Sequence, residues 1–114
     1  MRPLTLDDIE IVGIALAVLS VPFLWDLIPR NRFYGFRVPG TLRDDRTWYA
    51  INRWAAKRAI MIGAALAIAA WVLDVGGLDT PLARTILSLV MFAALAVFTI
   101  RGWIDANRMV RQQP

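Results

Sequence analysis

PRNRFYGFRVPGTLRDDRTWYAINRWAAKR, residues 29–58, is the stretch on which the fold turns: eight basic side chains interleaved with aromatic and turn residues, set between segments almost without charge. The flanks set the class. Hydrophobic residues make up 58% of a 114-residue chain, more apolar surface than one compact soluble core of this size would need. A helix rises about 1.5 Å per residue and a bilayer core is about 30 Å thick, so a span needs roughly 20 residues. Three segments meet that length: 9–28, 55–73 and 82–104. Their uncharged cores, 11–25, 59–73 and 85–100, are shorter, but flanking Arg and Lys side chains can snorkel to the interface and make up the difference. The expected fold is all-α: one integral membrane domain over residues 1–114, with three transmembrane helices and an ordered basic loop, 29–58, that leads by an interfacial helix into the second span.

Charge orients the bundle. Of the 13 basic residues, Arg30, Arg32, Arg37, Arg43, Arg46, Arg53, Lys57 and Arg58 lie between spans one and two, and Arg101, Arg108 and Arg111 lie at or after the end of span three. Only Arg2 and Arg84 fall on the other side. Positive segments stay cytoplasmic, which places the N-terminus and the 74–84 turn outside, and the long loop and the tail inside, a bacterial cytoplasmic membrane. The first span does not read as a secretory signal, because its leader carries Asp7, Asp8 and Glu10 and no small-residue cleavage site follows; it is expected to stay in the mature protein.

Composition also narrows the chemistry. A basic soluble domain would suggest nucleic acid, but this excess is juxtamembrane, where anionic headgroups attract each Lys or Arg by about 1 kcal/mol. The expected partners are therefore membrane lipids, anionic ones first, and not nucleic acid. Without cysteine or histidine the chain offers no thiolate nucleophile and none of the commonest metal ligands or general bases. Neither catalysis nor a metal or cofactor is expected. Pumps and ion-coupled transporters keep ionisable groups near the midplane, whereas the surroundings of Val18, Leu66 and Ala93 carry no charge. Asp26 and Asp74 sit near helix ends as interfacial residues, with Asp26 in reach of an Arg of the adjacent loop.

Packing signals are clearer. Ala59, Gly63 and Ala67 recur every four residues on span two, as do Gly13 and Ala17 on span one, the small-xxx-small spacing that lets helices approach closely. Span two is the expected centre of the bundle, and the same faces leave room for a homo-oligomer or a larger membrane complex. In the loop, Pro29 should end span one, Pro39-Gly40 should make a turn, and Thr41 with Asp44 resembles a helix-start box. From there Trp48, Ile51, Asn52, Ala55 and Ala59 share one helix face, opposite Arg46, Arg53 and Lys57. The pattern R-x-W-x-x-x-N-R occurs twice, at Arg46 to Arg53 and at Arg101 to Arg108. Interfacial enrichment of Trp and Arg accounts for the tail copy; the loop copy points to an Asn and Arg site for an anionic headgroup or a peptide carboxylate.

Asn31, Gly35, Arg37, Pro39, Thr41, Trp48, Asn52 and Arg53, taken together in this spacing, resemble the signature of the SdpI family of small bacterial membrane proteins. The likeness covers about a quarter of the chain strongly and the hydrophobic remainder by layout. The family's founding member is an immunity protein that protects its producer from a secreted, membrane-active peptide toxin and also holds a transcriptional repressor at the membrane. The resemblance therefore implies membrane localisation and toxin resistance. This chain carries one signature module and three spans, fewer than that protein.

Two functional readings remain open. One is a binding or protective protein, of toxin-immunity or envelope-stress type, in which Asn31, Arg37, Thr41, Trp48, Asn52 and Arg53 form a cytoplasmic-side polar site. The other is a structural or assembly subunit of a larger complex, in which the signature only shapes the loop and the small-residue faces bind another protein. Asp44 or Asp45 as the base of a lipid-acting enzyme is a weaker third, since acidic pairs at a helix start are far more often caps.

Overall fold

The computed structural model describes residues 4–31, 34–37 and 39–112. Arg2, Arg32, Phe33 and Val38, used above, lie outside them. The described residues form α1 (Leu6–Ser20), continued by a 3-10 segment (Val21–Trp25), a short α2 (Pro39–Arg43), and two long helices, α3 (Asp45–Val75) and α4 (Pro81–Arg111). Three helical stretches are long and apolar enough to cross a membrane: 6–25, α3 and α4. The chain is a multi-pass, all-helical membrane protein, and the lipid-facing sides of the bundle are apolar, as at Ile11, Ile68, Leu82 and Leu89.

Each boundary has a local cause. Thr5 caps α1 with a reciprocal pair, its hydroxyl accepting from the Asp8 N–H at 3.2 Å and its own N–H donating to the Asp8 carboxylate at 2.9 Å. The end of span one differs from the sequence expectation. Pro29 does not end it: the α-helical part stops at Ser20, because Pro22 has no N–H for the next turn and the helix tightens to 3-10 geometry, and the helical stretch ends at Trp25. Asp26 then takes a left-handed conformation, φ 56°, and stops the chain from coiling on.

The start of span two is also corrected. Pro39 and Gly40 open the five-residue α2 instead of forming a turn, and the Thr41 box is not the cap of the long helix. That role falls to Asp44, whose carboxylate accepts from the Thr47 N–H at 2.8 Å. The interfacial helix and span two are one continuous rod, with Trp48, Ile51, Asn52, Ala55 and Ala59 buried along one side and Arg46, Arg53 and Lys57 exposed on the other. At 31 residues each, α3 and α4 run to about 46 Å, well over the thickness of a hydrocarbon core.

The helix α3 lies at the centre, in contact with α1, the 3-10 segment, α2 and α4. Gly13 and Gly63 face one another across the α1–α3 crossing, and a Cβ on either would overlap the other's carbonyl oxygen. The small-residue faces thus serve a contact within the chain. At the far end Leu6 and Ile9 of α1 close against Leu66 and Ala70 of α3 and Leu87 and Met91 of α4. At the loop end Phe23 packs with Trp48 and Ala56, and Ile51 with Ala106.

The α3–α4 turn is fixed by Arg84, which donates to Asp79 at 2.6 and 3.1 Å. That hydrogen bond, helped by the opposite charge and opposed by desolvation, holds the Asp79 carboxyl below its ordinary range. A depressed carboxylate stabilises the fold above its unfolded pKa and loses that contribution as pH falls through the folded value, so the turn should loosen only in acid. Arg84→Gln should move the Asp79 titration upward in an NMR pH series. At the crossing, Gly63→Leu should destabilise the detergent-solubilised protein by about 1–3 kcal/mol through overpacking, read by denaturant unfolding. Ala64→Leu, on the exposed side of the same helix, should change it little.

Candidate functional site

The signature loop is held down at the backbone of one residue, Phe36. The Phe36 N–H donates to Asn52 Oδ1 at 2.6 Å, and the Phe36 carbonyl accepts from the Thr41 hydroxyl at 2.9 Å and from Asn52 Nδ2 at 3.4 Å. The same Asn52 amide donates to the Trp48 carbonyl at 2.9 Å, so its oxygen and both its N–H groups are used. Asn52 is 3% exposed and Thr41 0%, which places these bonds where a lost partner is costly. Gly35 makes the approach possible. Its φ is +115°, and a Cβ there would press on the Asn52 oxygen and the Phe23 ring, both at 3.0 Å.

The rest of the loop is tied to the same helices. Trp48, wholly buried, donates its indole N–H to the Ile28 carbonyl at 2.8 Å and anchors the loop's entry. Asn31 ties the loop locally, accepting from the Tyr34 N–H at 2.7 Å and donating to the Pro29 carbonyl at 2.8 Å. The Tyr34 hydroxyl donates to the Leu19 carbonyl. In 3-10 geometry that carbonyl would be served by the amide of residue 22, and Pro22 has none to give. Arg30 reaches the Leu42 carbonyl at 3.2 Å and the Asp45 carboxylate at 3.4 Å, and Arg53 pairs with Asp26 at 3.5 Å, the loop partner expected for that aspartate. The Phe36 ring lies edge-on to Phe98, centroids 5.7 Å apart, and against Gly102, so the loop touches α4 as well as α3.

Geometry divides the six residues singled out from the sequence. Asn31, Thr41, Trp48 and Asn52 bond to backbone groups of the loop and α3, and among the described residues no buried side-chain nitrogen or oxygen lacks a partner. Arg37 and Arg53 follow Phe36 and Asn52 in sequence and are exposed. The two R-x-W-x-x-x-N-R copies lie at the same end of the bundle but differ in use: Trp48 is buried, whereas Trp103 is 47% exposed and Arg101 pairs with Asp105 of its own helix at 3.5 Å.

Sequence reasoning missed Phe36, whose backbone is the object of the whole arrangement, because a backbone group leaves no mark in a motif. It also missed Tyr34 and the stack of Trp54 on Phe98, 5.9 Å between centroids and 11° between planes. The i, i+4 spacing of Trp54 and Arg58, whose guanidinium lies 4.6 Å over the indole, was a visible signal for that corner. Beneath the loop a cavity of about 270 Å³ is lined by apolar groups and edged by Ser20, Tyr34 and Asn52.

Removing the amide should release the loop. Asn52→Leu leaves the Phe36 N–H buried without a partner, a loss of about 1–3 kcal/mol, and the Phe36 amide should exchange with solvent deuterium faster by more than the global destabilisation accounts for.

No curated protein and no solved structure matches the chain. The model of the SdpI/YfhL protein family matches residues 27–102, from the loop's entry through both long helices to Gly102. That match takes in more than half of the sequence, and the chain belongs to the SdpI/YfhL protein family.

Proposed function

We propose that this chain is a binding or protective protein of the bacterial cytoplasmic membrane, of the toxin-immunity or envelope-stress type, and that it recognises an anionic group at its loop end. The observation that carries this reading is the self-satisfied clasp around Phe36. Four buried or locally bonded signature residues, Asn31, Thr41, Trp48 and Asn52, spend their polar groups on folding a loop, and the residues next to the clasp, Arg37 and Arg53, stand at its surface. Arginine's planar fork suits a phosphate or carboxylate. In this reading the Asn and Thr residues position the loop, and Arg37 and Arg53 meet the ligand. Asp44 serves as the cap of α3.

An assembly subunit is less well supported, because the small-residue faces that would bind another protein are taken up between α1 and α3. The test is protection of cells from a membrane-active peptide toxin. Arg37→Ala and Arg53→Ala should insert and fold at normal levels yet lose protection, while full protection in both would remove these residues from the site. Orientation is checked separately, with the N-terminus expected outside and the loop inside. The chain has no cysteine, so Leu78→Cys and Gln112→Cys each introduce a single thiol. An impermeant maleimide should label the first in intact cells and the second only after lysis.

A further inference from the structure

Between Leu66 with Leu87 and Ile51 with Ala106, α3 and α4 are bridged by the Trp54–Phe98 stack and leave beside it a groove of about 750 Å³. On α4 the groove face is Val90, Ala93, Ala94, Val97, Phe98 and Arg101, one stripe at i, i+3, i+4, i+7, i+8 and i+11, and on α3 it is Trp54, Arg58 and Ile62, four residues apart. The small Ala93 and Ala94 make the hollow. Its walls are apolar except at one end, where both arginines lie. We propose that this groove holds one acyl chain of an anionic phospholipid, with the lipid phosphate between Arg58 and Arg101.

Three observations favour that occupant. Arg58 and Arg101 border the uncharged stretches 59–73 and 85–100, so they mark the same edge of the apolar slab on two antiparallel helices. From Val90 to Arg101 the α4 stripe extends about 16 Å, close to half of the roughly 30 Å hydrocarbon core, which is the depth of one leaflet. Finally, side chains of a helix lean toward its N-terminus, which for α3 is the loop end, and the Arg58 guanidinium lies back over Trp54 in that sense. Arg101 shares only a 3.5 Å pairing with Asp105 and is 68% exposed, which leaves N–H donors available to a phosphate. The site is separate from the Arg37 and Arg53 face and does not depend on it.

Native mass spectrometry of the purified full chain, exchanged into detergent with equal phosphatidylglycerol and phosphatidylcholine, tests the assignment. The wild type should retain phosphatidylglycerol about tenfold more than phosphatidylcholine, and the double variant Arg58→Gln, Arg101→Gln should bind the two alike. Ala94→Phe, which fills the hollow, should lower retention of both. Both arginines are exposed, so the double variant should keep the wild-type helix content and elution volume, and it decides the matter even where Ala94→Phe misfolds. Equal retention by the wild type overturns the proposal, as does a preference that survives the double variant. A preference lost instead in Arg37→Gln, Arg53→Gln also overturns it, while leaving the loop-face reading intact. A dimer mass in place of lipid, lost in Ala94→Phe, would make the groove an interface between copies and overturn it too.

Discussion

The hold of Asn52 and Thr41 on the backbone N–H and C=O of Phe36 is the constraint from which the loop end of this molecule follows. A backbone N–H and C=O taken below the surface must be paired, and neither a helix nor a strand is available at that point of the chain. Two buried side chains supply the pairing, and the conformation they require is one that Gly35 can enter and a residue with a Cβ cannot enter without strain. With that backbone fixed, the Phe36 ring is delivered to Phe98 and Gly102 of α4. One clasp therefore determines how a connection between spans one and two also braces span three.

The membrane part obeys a different rule. Between helices in lipid there is little hydrophobic drive, so close backbone approach and shape govern association. The Gly13 and Gly63 crossing satisfies that rule for α1 and α3. The α3–α4 pair does not follow it along its length: it packs at both ends and between them is bridged by the Trp54–Phe98 stack beside an open groove. The molecule thus couples one tight helix pair to one open pair through the helix they share.

What was legible in the sequence was what periodicity and charge encode. The three spans, the central place of α3, the buried face from Trp48 to Ala59 and the exposed Arg46, Arg53 and Lys57 all follow from side-chain identity at helical spacing. Boundaries set by backbone chemistry were harder to see. Pro29 looked like the terminator because it stands beside the loop, yet Pro22 acts earlier by withholding an amide inside the helix. Thr41 looked like a cap by its distance from Asp44, but its hydroxyl is taken by the Phe36 carbonyl and the cap passes to Asp44. For the candidate site, the signature names its residues as one motif and does not separate those that fold the loop from those left at its surface. Asn52 and Arg53 are adjacent letters, and only the helix turn that sends one inward and the other outward separates a folding role from a surface role.

The lengths of α3 and α4 tie this loop to the thickness of its surroundings. Each helix exceeds the hydrocarbon core by about 16 Å, and the residues beyond the uncharged stretches 59–73 and 85–100 fall mostly at the loop end, in the basic turns of α3 and the last turns of α4. Because the loop is bonded to those turns, it cannot change depth independently of the rods. A local thinning of the bilayer must then be met by tilting the long helices or by lifting the whole basic platform farther into water, so the height of its arginines above the membrane is a mechanical readout of hydrophobic mismatch.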